Sequence, residues 1–177
     1  SLAASLSMGY LEQLSDYPAD MSIWDAMLDS FAGILAKRQQ IHELEAEMAG
    51  GGPDLDKTME RYARLSEEYD RANGYACENT ARRILIGLGF KKEEFDRPAQ
   101  NLSVGQKTRL NLGRLLAISP DLLCLDEPTN HLDMQSVEWL EEFIKAYPGT
   151  VLVVSHDRRF LDRIASRIID LRVNHLV

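Results

Sequence analysis

Cysteine is scarce. Cys77 and Cys124 stand far apart in 177 residues. That is too few for a disulfide framework, so both read as buried or free thiols of a reducing compartment. No apolar run approaches the about 20 residues of a membrane-spanning helix, which excludes a helical span. Ser1 to Met8 is mildly apolar but carries no basic residue, so no signal peptide is expected. Basic residues are outnumbered, 20 Lys and Arg against 28 Asp and Glu, for a net charge of −8. A chain so acidic does not coat nucleic acid through general electrostatics, although a local basic stripe stays open. Nor does Gly-x-x-x-x-Gly-Lys-Ser/Thr occur, the loop whose amides cradle nucleotide phosphates. What remains is ordinary: 45% apolar and 27% charged residues, enough to build one globular domain with a real core.

The chain is organised around residues 122–133, Leu-Leu-Cys-Leu-Asp-Glu-Pro-Thr-Asn-His-Leu-Asp. The four apolar residues suit a strand covered on both faces of a parallel sheet. Pro128 cannot donate to a ladder and ends it. Asp126 and Glu127 then stand at the carboxyl end of a buried strand, where open α/β sheets place their ligands. Neighbouring strand residues point to opposite sides, so one acid is free to hold a metal while the other polarises a water. A lone Asp-Glu pair would be no more than a solvated turn, but two other stretches agree with it. Leu102-Ser103-Val104-Gly105-Gln106 opens a helix bearing Leu110, Leu112 and Leu115. Thr150–Val154 is a second apolar β run, ending on Ser155-His156-Asp157.

Leu102 to Gln106 resembles the signature motif of ATP-binding cassette ATPases, Leu122 to Glu127 their Walker B strand, and His156 their switch histidine. The wording of residues 127–133 and 155–162 is similar to the F subfamily, soluble twin-cassette ATPases that act on the ribosome. The resemblance implies an α/β fold: a partial P-loop NTPase-type parallel sheet with a helical subdomain carrying an antiparallel helical hairpin. It also implies ATP with Mg2+, a second cassette as partner, and a cytoplasmic protein away from membranes. By the same resemblance Asp126 holds magnesium, Glu127 is the general base, His156 addresses the γ-phosphate, and Gln13 senses metal and water. Ser103, Val104, Gly105 and Gln106 meet the nucleotide of the opposite cassette, with Asp133 in the D-loop. Val104 stands where the family usually has Gly; its N–H survives, but its side chain must be accommodated. The missing phosphate loop implies a fragment of the first cassette that by itself neither binds ATP tightly nor hydrolyses it.

Taken in order, residues 8–13 alternate apolar and polar and suit a short strand ending on Gln13. Ser22 suits a helix N-cap with Asp25 in the first turn. A helical hairpin follows over about residues 33–73. Ile34, Ile41, Leu44 and Met48 form one stripe, Gly50-Gly51-Gly52-Pro53 the break, and Asp54 the cap of the return helix. Leu55, Met59, Tyr62, Leu65 and Tyr69 supply the facing stripe. Lys57, Arg61, Arg64 and Arg71 share a flank. Six basic against nine acidic residues across the hairpin make a solvated face the reading from charge alone. The resemblance makes the hairpin the contact to the ribosome, its rRNA or tRNA. Residues 77–88 form a further helix and 91–95 a short amphipathic turn. Asp133 and Asp157 cap two later helices, and residues 167–171 suit a last strand. The expected division is 1–21, 22–100 and 101–177. Rival readings are a membrane transporter's ATPase subunit, a chromosome-maintenance ATPase with far longer coils, and a non-catalytic interaction module.

Overall fold

The computed structural model describes residues 6–10, 17–51, 54–169, 171–172 and 175–176. Its parallel sheet has the order β1 (Met8–Tyr10), β2 (Leu122–Asp126), β3 (Thr150–Val154). Met8 pairs with Leu122, and Leu122 with Thr150. Ser7 tethers the start of β1: its amide and hydroxyl both donate to Asp121 Oδ2, at 2.9 and 2.7 Å. Parallel strands require crossovers, and helices make them. α5 (Val104–Ile118) enters β2, α6 (Met134–Lys145) joins β2 to β3, and α7 (Arg158–Ile164) follows β3. Leu123 and Leu125 of β2 share one buried core with Leu110 and Leu116 of α5, Leu140 of α6 and Phe160 of α7.

Only that face of the sheet is covered among the described residues. Met8, Tyr10, Leu152 and Val154 lie on the other face by their register and are more than half exposed. The expectation of a strand covered on both faces is therefore corrected: Leu122 and Cys124 are half-buried. The last strand is corrected too. Residues 167–169 are irregular, and Leu171–Arg172 pairs antiparallel with His175–Leu176 in a separate ribbon. Of the expected strand over 8–13, Met8–Tyr10 is seen, and the remainder lies outside the described residues.

α1 (Ile23–Asp29) and α4 (Cys77–Gly87) form a helical layer beside α5. Ser22 starts α1 with a reciprocal cap: its Oγ accepts from the Asp25 amide at 3.0 Å, and its own amide donates to Asp25 Oδ2 at 3.2 Å. Ile23, Ala26, Met27, Ala81, Ile84 and Leu85 are fully buried. α5 joins this layer to the sheet, and Gly113 lets it come close: a methyl there would lie 3.1 Å from Leu88 Cδ1 and 3.3 Å from Ile84 Cγ2.

α2 (Ala32–Gly50) and α3 (Leu55–Arg71) project as an antiparallel arm. At 19 residues α2 is about 28 Å long. It ends where Gly51 takes the left-handed conformation, φ 60°, which glycine adopts without a Cβ penalty. The seam on α3 is Thr58, Tyr62, Leu65 and Tyr69, not the expected stripe beginning at Leu55 and Met59, which are 39% and 52% exposed. Thr58 takes the inward position and donates to Glu47 Oε1 at 3.2 Å; Met59, one residue on, is rotated about 100° away. Asp54 stands at the N-cap of α3, but its carboxylate pairs with Lys57 at 2.8 Å and makes no cap bond. Lys37 to Glu68 at 2.8 Å crosses the arm, and Arg38 to Glu78 at 3.0 Å fastens its base.

Two glycines separate packing from propensity. A Cβ on Gly87 would fall 2.1 Å from Cε2 of Trp139, whereas nothing lies within 4 Å of one on Gly33. Gly87→Ala should destabilise the chain by about 1–3 kcal/mol through overpacking. Gly33→Ala, at the start of α2, should stabilise it by up to about 1 kcal/mol. Urea midpoints at unchanged m-value measure both; equal midpoints would remove Trp139 from the account.

Candidate active site

β2 delivers its two acids to one point. Asp126 is exposed and opposite Val154; Glu127 follows it out of the ladder. The Glu127 amide still donates to the Val154 carbonyl at 2.8 Å, so Glu127 stays tied to the end of β3 although its φ is 45°. A non-glycine residue in that region is costly and needs surrounding bonds to hold it. They come from the loop after β3. Glu127 Oε1 accepts from the His156 amide at 2.8 Å, and Ser155 Oγ donates to Glu127 Oε2 at 3.3 Å. The His156 ring, its Nε2 3.6 Å from Glu127 Oε1, is otherwise in solvent. Of the expected site residues, Glu127 and His156 are brought into contact, and Asp126 precedes Glu127 at the end of β2. Ser155 was not singled out; its short side chain beside His156 was the available signal.

The chain then turns tightly. The Asn130 amide donates to the Glu127 carbonyl at 3.1 Å and the Leu132 amide to that of Thr129 at 3.2 Å, with His131 at φ 66°. Asp133 ends the turn and caps α6, accepting from the Ser136 amide at 2.8 Å. That backbone bond chiefly holds the Asp133 carboxyl below its ordinary pKa, with the Arg109 charge helping.

The N-terminus of α5 is a second cluster. Ser103 Oγ accepts from the Gln106 amide at 3.3 Å, and Gln106 Oε1 accepts from the Ser103 amide at 3.1 Å. The Val104 and Gly105 amides of this first turn have no hydrogen-bond partner among the described residues, and with the positive end of the helix dipole they suit a phosphate. Val104 is 62% exposed, so the side chain found in place of a glycine is accommodated by pointing outward. Among the described residues no hydrogen bond joins Ser103 to Asp126, Glu127 or His156. Gln13 lies outside the described residues.

Two features were not foreseen. Arg109 lies near Asp133 and donates to the Leu88 carbonyl at 3.2 Å. Tyr17, buried, donates its hydroxyl to Asn111 of α5, while Arg114 lies over its ring and pairs with Asp29 at 2.6 Å. Burial pushes the Tyr17 phenol up. Neither could be read from periodicity, because a polar residue on a helix declares its partner only through the fold.

A magnesium site is testable from the donors. Among the described residues no group of three or more His, Cys, Asp or Glu side chains surrounds a common point. One exposed carboxylate, Asp126, fits an ion that keeps most of its waters and takes its other ligands from phosphates. It does not fit an all-protein cage.

Residues 4–130 match the ABC transporter family. The chain is 37% identical over 170 residues to the energy-dependent translational throttle protein EttA of Mycobacterium tuberculosis, covering 96% of this chain and 30% of that protein. It is 41% identical over 180 residues to ATP-binding cassette sub-family F member 3 of Homo sapiens, covering 98% of this chain and 24% of that protein. The chain thus spans less than a third of the length of these relatives. Among solved structures it resembles that of an archaeal ribosome recycling factor, aABCE1, in complex with a ribosomal stalk protein. The TM-score is 0.58 at 18% identity, over 96% of this chain and 26% of that one. At that identity the likeness concerns the fold alone. Among the described residues no helix is long and apolar enough to cross a membrane.

The lowered Asp133 pKa has a pH signature. A carboxyl depressed by folding contributes stability that is present above its unfolded pKa, about 3.9, and is lost as pH falls through the folded value. Asp133→Asn keeps a cap acceptor and removes the titration. The variant should be less stable than the parent at pH 7, with the gap in urea midpoint closing below about pH 4. A gap constant down to the acid transition would show that the carboxylate charge contributes nothing at this cap.

Proposed function

This chain belongs to the ABC transporter family of ATP-binding cassette domains, and from that membership we propose that it is part of an F-subfamily ATPase coupling ATP binding and hydrolysis to translation on the ribosome. One observation carries the choice of subfamily: the α2–α3 arm projects between the Gln13 segment and Ser103 on a chain that also holds the acidic turn. A transporter subunit has no evident use for such an arm. The relatives named for translational throttling and for sub-family F support the same choice.

We assign residues 1–21 to the Gln13 strand and loop, 22–100 to the helical part with its arm, and 101–177 to the signature helix and acidic strand end. The whole protein would be cytoplasmic and pair this cassette with a second one. The arm would meet the ribosome, its rRNA or bound tRNA. Its outer flank offers Arg61 and Arg64, which have no salt-bridge partner among the described residues. Lys57 and Arg71 are engaged locally by Asp54 and Glu67.

In the reaction, water adds to the γ-phosphorus of ATP, the bond to the β,γ-bridging oxygen breaks, and the water's proton passes to Glu127. The His156 amide and Ser155 hydroxyl each hold one oxygen of the Glu127 carboxylate, which fixes its orientation as a positioned base requires. Asp126 would hold magnesium, with Gln13 beside it; the ion, when bound, neutralises phosphate charge. His156 presents an exposed imidazole to the γ-phosphate. Val104 and Gly105 would offer their first-turn amides to the nucleotide of the second cassette, with the Ser103 and Gln106 side chains beside them, and Asp133 closes the loop facing that partner.

Two experiments on the whole protein test this. Glu127→Gln should lower ATP turnover by about 100-fold or more, the range of general-base loss, while ATP still binds. Wild-type turnover in that variant would remove Glu127 as base. Replacing residues 33–73 by a short turn should spare turnover and weaken co-sedimentation with ribosomes. Undiminished co-sedimentation would overturn the arm's assignment.

A further inference from the structure

Near the start of β2, at the opposite end from its acids, a cavity of about 380 Å³ lies between α4, the end of α5 and α6. One wall is a row of rings. Trp139 and Phe143 stand four residues apart on α6, hence on one flank, and Tyr147 follows just past the helix end. Ring centroids are 5.2 Å apart for the first pair and 6.2 Å for the second. All three rings are half-buried, and Leu116 and Ala117 of α5 also line the space. Both end rings are held. Trp139 lies on the bare backbone of Gly87, where a methyl would fall 2.1 Å from its Cε2. The Tyr147 hydroxyl donates to the Pro120 carbonyl at 2.5 Å. A preformed cavity of this size, with aromatic walls and few polar groups, has the form of a small-ligand site. One charge in it is unanswered. Arg83 of α4 lines the cavity and is exposed, and its guanidinium makes no ion pair or hydrogen bond among the described residues. Glu142, on the α6 side, is already paired with Lys145 at 2.8 Å.

We propose that this cavity is a binding site for a small aromatic carboxylate, a ring or fused pair of rings bearing one acid group. The ring lies against Trp139, Phe143 and Tyr147, where apolar contact and offset stacking favour a planar body. The carboxylate pairs with Arg83, whose planar fork matches two carboxylate oxygens. The length of β2, five residues or about 16 Å, separates this cavity from the acidic strand end. It is lined by none of the residues assigned to ATP, so it stands or falls apart from that assignment.

Saturation-transfer NMR titration of the whole protein tests this, with indole-3-propionate as the probe and excess ADP to fill any nucleotide site. A probe of about 14 non-hydrogen atoms should bind with a Kd of about 1 mM or below. Its neutral analogue, indole-3-propionamide, should bind about fivefold more weakly, the worth of one exposed ion pair. Arg83→Gln should bring the acid down to the amide and leave the amide unchanged; Arg83 is exposed, so the fold does not depend on it. Ala146→Phe, at another exposed position, places a ring in the cavity and should abolish binding of both probes. No saturation transfer, equal affinity of acid and amide in the parent, parent-like binding of the acid by Arg83→Gln, or undiminished binding by Ala146→Phe would each overturn the site. N-acetyltryptophanamide, which stands for an internal residue of a peptide, should bind no better than the amide. Tighter binding of that probe than of the acid would overturn the carboxylate in favour of a peptide side chain.

Discussion

The hydrogen bond from the Glu127 amide to the Val154 carbonyl is the constraint on which the acidic end of the sheet depends. It is the last bond of the β2–β3 ladder, made just past the Asp126–Val154 pair, and it holds Glu127 in a conformation that the residue would not choose alone. With the backbone pinned there, the carboxylate reaches the His156 amide and Ser155 hydroxyl, two groups contributed by the next strand's exit loop. β2 and β3 thus act as parallel rails, and their register decides which residue follows each strand into the site. A slip by one residue would reverse every side chain on β2 and send Leu123 and Leu125 out of the core.

Much of this was legible from sequence because it is local. Caps announce themselves: Ser22 with Asp25, Ser103 with Gln106, and Asp157 before Phe160 each satisfy helix-end amides within a few residues. Pro128 stopped a strand where it was expected to stop. The arm was legible as two stripes and a glycine break. Its exact seam was not, because choosing Thr58 over Met59 depends on how α2 presents Glu47. A hydrogen-bonded threonine at a helix seam looks, from composition, like a surface residue.

What the sequence did not disclose is long-range polar pairing. Asn111 is a polar residue in the middle of an apolar helix, and it makes sense only because Tyr17 arrives from a distant segment. Arg114 does two jobs there, lying over the Tyr17 ring and pairing with Asp29, which ties α5 to α1 through a charge at the rim of the core. The half-covered sheet was likewise hidden. An apolar run such as residues 122–125 does not say how many helices stack on it, and here Leu122 and Cys124 remain half-buried.

The tether from Ser7 to Asp121 spans 114 positions of chain, and β1 gains its strand partner only beside it. The arm, by contrast, pairs neighbours in sequence. Folding therefore has two clocks. Local helices and the hairpin form in microseconds, whereas β1 waits on closure of a loop containing α1 through α5. On a ribosome, β1 would be made before its partner β2 and wait for it through 114 further positions, roughly 6–23 s of synthesis at 5–20 residues per second. Its three residues expose only a short unpaired edge during the wait, so brevity itself limits wrong pairings along the way.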